Sequence, residues 1–189
     1  MSAEGQPFII SIVLNFVSNS FTSFMATDQK VQILPEALKS SLANTSLVIV
    51  KTAWNKSIVE ELERGVSEVC KATNVTILKT ITVPGAVEIP FAVSAYNRAG
   101  NTEKPGAYIV LGCVIKGDTP HFEYVCQSVT QGVTILNTQL SVPVIFGVLT
   151  VNTEQQALDR LGGPHGHKGK EAAETALRMI TMLQELNGK

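Results

Sequence analysis

Charge is what this sequence has least of. Only 16% of its 189 residues are Asp, Glu, Lys or Arg, and the formal net charge is −1. A chain so nearly neutral has no electrostatic footprint for a polyanion, which excludes nucleic acid as a partner on composition. Cysteine is scarce as well. The three present are an odd number in apolar contexts, which argues against a disulfide framework and fits a reducing compartment. Long apolar runs are missing too. The stretch Phe8 to Val17 falls short of the ~20 residues that span a bilayer, so no membrane role is expected. No Lys or Arg precedes Lys30, which removes the cationic start of a secretory signal and the Arg-rich character of an organellar transit segment. Two readings of residues 1–28 stay open: a mobile or partner-docked tail, or a targeting segment of atypical composition. The expected compartment is cytoplasmic, with organellar import not excluded.

What is present is apolar. Hydrophobic residues make up 44% of the chain, enough for one domain with a good core. Few charges for so much surface point to contacts between subunits. Residues 29–189 read as a single domain behind the 1–28 extension. Val31-Gln-Ile-Leu34 is a short leading strand candidate. From Ser46 strand and helix patterns alternate. Leu47 to Val50 is a buried strand, and Asn55 is placed to cap a helix with Glu60 and Glu61 in its early turns and Ile58, Leu62, Val66, Val69 and Cys70 inward. Val75 to Val83 is the next strand, ended by Pro84-Gly85. A helix follows with Val87, Phe91, Ala95 and Tyr96 on one face. Ala107 to Ile115 is an apolar run of the kind buried on both faces of a sheet. Its helix carries Phe122, Val125, Cys126, Val129, Val133 and Leu136. Val142 to Val151 is the fourth strand, and Thr153 with Gln156 spells a capping box. The Gly-rich loop 162–169 breaks the pattern before a last helix to about Leu186, with Ala173, Ala176, Leu177 and Ile180 inward and Glu174–Arg178 as an i,i+4 pair.

This alternation predicts right-handed crossovers and an α/β fold, a three-layer αβα sandwich around a four-stranded parallel sheet. Ligands bind such sheets outside the carboxyl ends of the strands. Those ends bring together Trp54, Glu88 and the stretch Lys116 to His121. Thr119 is placed as an N-cap with Pro120 at the first helical position and His121 in the first turn. Free backbone N–H groups there suit an anion, with an imidazole beside it for proton transfer. A lone histidine in a first turn is more often structural; for Trp54 the competing reading is a buried core tryptophan. His165-Gly-His167 has the look of a metal pair, but no acid or cysteine stands beside it, so no metal is expected.

Five blocks now carry a resemblance: Ala53-Trp54-Asn55; Val83 to Pro90; Gly112 to Val125; Pro143 to Thr150; and Glu154 to Arg160 with Lys168-Gly169. In order and spacing, the chain from about Ser46 onward resembles the 6,7-dimethyl-8-ribityllumazine synthase family of riboflavin biosynthesis. The resemblance implies a flavodoxin-like topology, with the leading strand, here Val31 to Leu34, joining a neighbouring subunit's sheet. It implies a homo-oligomer, a pentamer or an icosahedral assembly of pentamers. It also implies a cofactor-free condensation of two small molecules, 5-amino-6-ribitylaminouracil and 3,4-dihydroxy-2-butanone 4-phosphate.

Roles follow residue by residue. Trp54, with Asn55, stacks on the pyrimidine ring; Ala86, Val87 and Glu88 recognise ring and ribityl chain; Cys113, Val114 and Ile115 line its edge and floor. Gly117, Asp118 and Thr119 form the phosphate turn, through backbone N–H groups because the Asp118 carboxylate repels phosphate. Arg160 adds a forked cation, and His121 shuttles protons. Phe146, Lys168 and Arg160 come from the adjacent subunit. Lys116 stands where the family often has arginine, and His167 where it often has asparagine. A flavin-binding module of the same fold class and a non-catalytic shell subunit are the competing readings.

Overall fold

The computed structural model describes Leu42 and residues 45–188. The expected strand Val31 to Leu34 and the apolar stretch Phe8 to Val17 lie outside the described residues.

The main sheet is built from β1 (Ser46–Thr52), β2 (Thr76–Val83), β3 (Ala107–Ile115) and β4 (Val144–Val151), all parallel in the order β2-β1-β3-β4. The helices are α1 (Lys56–Thr73), α2 (Ile89–Arg98), α3 (His121–Gln139), α4 (Glu154–Leu158) and α5 (Lys168–Leu186). The expected α/β sandwich is the observed fold. Because strand side chains alternate, each strand feeds two cores. Leu47, Ile49, Ile109, Leu111, Ile145 and Leu149 face α1 and α5. Val48, Val50, Tyr108, Val110, Val144 and Val148 face α2 and α3. All five apolar positions expected on the first helix pack inward, with Val69 half-buried.

Local structure departs from expectation in several places. Asn55 takes the left-handed conformation, φ 53°, and makes no side-chain cap. Glu60 and Glu61 do stand in the early turns of α1, in its second turn. On α2 the buried pair is Ile89 and Val93, while Phe91 is 71% exposed and Val87 45%. The buried stripe is thus offset by two positions from the expected one, although Tyr96 does pack against the core; Pro90 sits in the first turn. Thr153 does accept from the Gln156 N–H at 3.3 Å, but Gln156 reaches back to the Asn152 N–H at 2.8 Å rather than to Thr153. Glu174 and Arg178 make no ion pair; one Glu174 carboxylate oxygen is buried without a hydrogen bond, and burial raises that carboxyl's pKa. The Gly-rich loop is not irregular. Leu161–Gly163 (β5) and Gly166–His167 (β6) form a short antiparallel hairpin, with Gly162 and Gly166 at φ 105° and 77°.

Candidate active site

The parallel register brings three strand ends to one rim. Thr52 pairs with Val83, and the Ala53 N–H continues the ladder to the Val83 carbonyl at 2.8 Å. Lys51 pairs with Leu111, so β3 runs on beneath the β1–α1 turn. Asn55 closes that gap: its Nδ2 donates to the Cys113 carbonyl at 2.9 Å. The left-handed backbone at Asn55 turns the chain sharply into α1 and leaves Trp54 72% exposed. Trp54 is thus no core residue, and its ring face is open to a ligand.

On the other side of β1, the 3-10 turn Ala86–Glu88 follows β2. Ala86 is buried, while Val87 and Glu88 face solvent. The Glu88 carboxylate accepts from the Gly85 N–H at 2.9 Å, which fixes it on its own turn. Val114 and Ile115 are half-buried at the end of β3. Cys113 is buried, and burial pushes its thiol pKa up to about 11, so it is a protonated apolar filler rather than a nucleophile.

Lys116 to His121 is exposed throughout. The cap differs from expectation: Pro120, at φ −60°, occupies the N-cap position of α3, and Thr119 makes no capping bond. No side chain claims the first amides of α3. A proline before the first turn has no hydroxyl to bond them; the Glu123 N–H donates to the Pro120 carbonyl at 3.1 Å, and the His121 and Phe122 amides ahead of it are left for an anion. Asp118 and Thr119 stand in this exposed turn, and His121 opens the helix beside it. Gly117 leaves open space where a side chain would lie. Lys116 is 3.9 Å from Glu123, a loose exposed pair.

The remaining expected residues gather elsewhere. Phe146 pairs with Val110, five residues before β3 ends, roughly 16 Å down the strand at ~3.3 Å per residue. It lines a cleft of about 520 Å³ along β4 together with Lys168, Ala172 and Thr175. Arg160 donates two bonds to the Glu171 carboxylate, at 2.9 and 2.7 Å, and a third to the His165 carbonyl. Lys168 Nζ is 3.6 Å from the same carboxylate. Glu171 was not singled out from sequence. The usable signal was its i,i+3 spacing from Lys168 on a helix. No cluster of three or more metal-ligating side chains occurs among the described residues, and no helix among them is long and apolar enough to cross a membrane.

One chain therefore presents two separate sets. A rim set holds an aromatic face, ring-recognition turns, free amides and an imidazole. An edge set holds Phe146 and two cations on a shared carboxylate. Comparison with known proteins identifies the scaffold. A family model described as 6,7-dimethyl-8-ribityllumazine synthase matches residues 44–184. The chain belongs to the 6,7-dimethyl-8-ribityllumazine synthase family. A relative of that name from Parabacteroides distasonis is 46% identical over 137 residues, covering 70% of this chain and 82% of its own. One from Bacteroides fragilis is 46% identical over 142 residues, covering 74% and 96%. One from Flavobacterium johnsoniae is 41% identical over 166 residues, covering 85% of each. Lumazine synthases of this kind are transferases, and the match favours that activity over a flavin-binding module.

Proposed function

We propose that this chain condenses 5-amino-6-ribitylaminouracil with 3,4-dihydroxy-2-butanone 4-phosphate to 6,7-dimethyl-8-ribityllumazine, in a site completed by two copies of the chain. The 5-amino group forms an imine with the ketone, phosphate leaves, the second ring closes and water is lost. The rim set of one copy supplies most of the parts. Trp54, with Asn55 holding its turn, stacks on the ring. Ala86, Val87 and Glu88 read the ring and ribityl chain against Cys113, Val114 and Ile115. The amides around Gly117, Asp118 and Thr119 cradle the phosphate, and His121 moves the protons. The edge set of the neighbour, Phe146, Arg160 and Lys168, covers the ring and adds positive charge to the phosphate.

The separation of the two sets on one chain carries this reading. Phe146 stands beside Val110, roughly 10 Å along the strand from Cys113 and roughly 16 Å from the end of β3, which supports its serving the rim of a neighbour rather than its own. The exposed apolar side chains on the α2 and α3 side, Phe91, Tyr124 and Ile135, supply a surface for the contact. The assembly on this reading is a pentamer or an icosahedral assembly of pentamers.

The test is complementation. Purified chain with both substrates gives the lumazine's fluorescence. His121→Ala, a rim lesion, and Arg160→Ala, an edge lesion, are each far slower. Dissociated and reassembled together, the two variants regain a measurable part of the parent rate, because mixed interfaces pair an intact rim with an intact edge. No recovery in demonstrably mixed assemblies rejects the shared site.

A further inference from the structure

We propose that His167 is a positioning residue whose imidazole, seated on Gly65, sets where Arg160 and Lys168 meet the substrate phosphate. The inference deepens the two-copy reading above and rests on it.

The imidazole joins three elements. Its backbone pairs with Leu161 across the hairpin. Its Nδ1 accepts the Gly169 N–H at 3.2 Å, which makes His167 the N-cap of α5. Its side chain is only 8% exposed and lies against α1, with Nε2 3.4 Å from Glu61 Oε1. An accepting Nδ1 places the ring proton of the neutral form on Nε2, facing Glu61. Nε2 has no hydrogen bond there, so the contact is electrostatic. Glu61 is itself held by Arg64, and Glu68, further along α1, is held by Arg64 and by Lys170 from α5.

Gly65 makes the seat. A Cβ at that position would come within 2.3 Å of His167 Cε1 and 2.6 Å of Nδ1. Gly65 lies inside α1, where glycine is a poor helix former. Its φ is not positive, so the backbone does not require it. The space it leaves is filled by the imidazole.

The consequence falls on the two cations. Arg160 precedes Leu161 by one residue, and Lys168 follows His167 by one. The Lys168 N–H donates to the Arg160 carbonyl at 2.8 Å. Both side chains converge on Glu171. A displacement of the imidazole moves the hairpin and the start of α5 together, and carries both cations with it. The rim set lies on other elements and stays where it is. The lock therefore acts on phosphate recognition and spares ring recognition.

The experiment is steady-state kinetics on the full chain, with KM for the butanone phosphate, KM for the pyrimidine and kcat determined separately. His167→Ala raises the phosphate-substrate KM about tenfold, while the other two constants stay within about twofold. His167→Asn retains a side-chain oxygen for the Gly169 N–H and recovers most of the loss. Gly65→Ala alone behaves like His167→Ala, because the methyl displaces the ring. The double variant is no worse than His167→Ala, since the vacated space accepts the methyl. A parental phosphate KM in His167→Ala overturns the proposal. So do three constants moving together, additive Gly65 and His167 effects, or His167→Asn no better than His167→Ala. A parent chain that makes no lumazine defeats the two-copy reading first, a different result from an active parent with an unmoved KM.

Discussion

The two helical layers differ in how far one chain completes them. The α1/α5 layer is finished internally. Gly169 sits so close to α1 that a Cβ there would lie 2.0 Å from the Leu62 carbonyl oxygen, and Glu61, Arg64, Glu68 and Lys170 link the two helices. No large apolar side chain of α1 is left exposed. The α2/α3 layer also has a glycine contact, Gly132 under the Pro90 ring, yet it leaves Phe91, Tyr124 and Ile135 in solvent. Both layers bury a full stripe on the sheet. The first layer leaves Met182 and Leu186 exposed only toward the end of α5, whereas the second, which carries His121 at the head of α3, exposes Phe91, Tyr124 and Ile135 along its helices. On the proposed reading, the second layer supplies the assembly surface and the rim histidine, while the first is packed more tightly on itself.

Substitutions break this comparison, beginning with the one of largest expected effect. Gly169→Ala forces a methyl against backbone and is expected to cost about 3 kcal/mol in urea unfolding. Gly132→Ala meets only proline ring atoms and regains helix propensity, so about 1 kcal/mol is expected there. Equal losses would erase the contrast between the layers. His121→Ala should lower kcat about 100-fold, equivalent to ~2.7 kcal/mol, with an unchanged urea midpoint. A shifted midpoint would make the histidine structural. Phe91→Asp should weaken each subunit contact by about 2 kcal/mol, seen as smaller species in sedimentation with the chain still folded.

A further effect is a pH slope. Burial raises the Cys70 and Cys113 thiols from 9.0 to about 11, and both lie in the core beneath α1 and α5. The folded chain holds these protons more tightly than the unfolded chain does. Their contribution is therefore fully present below about pH 9 and lost as pH rises through about 11. The urea midpoint should fall across that window, less steeply in Cys70→Ala, and a flat profile would show the thiols to be hydrated.

The strands and most helices were legible because burial on a sheet imposes period and composition: Ala107 to Ile115 reads as a strand buried on both faces, and it is one. Ends were less legible. Thr119 and Asn55 are good capping residues by type, but the cap of α3 went to Pro120 and the Asn55 amide went to the Cys113 carbonyl. The α2 stripe was misplaced because Val87 and Phe91 are apolar whether they face a core or a neighbour. Pattern registers hydrophobicity and says nothing of which surface covers it.

The linear sequence by itself determined the layer order, the family and the residues along the rim, since local periodicity and motif spacing are properties of neighbours in the chain. Only the tertiary structure decided that Glu171 gathers Arg160 and Lys168, that Gly65 receives His167, and that Phe146 lies far from its own rim. Those pairings depend on strand register and helix crossing. Both are set by packing between segments distant in sequence, where no local pattern records the distance.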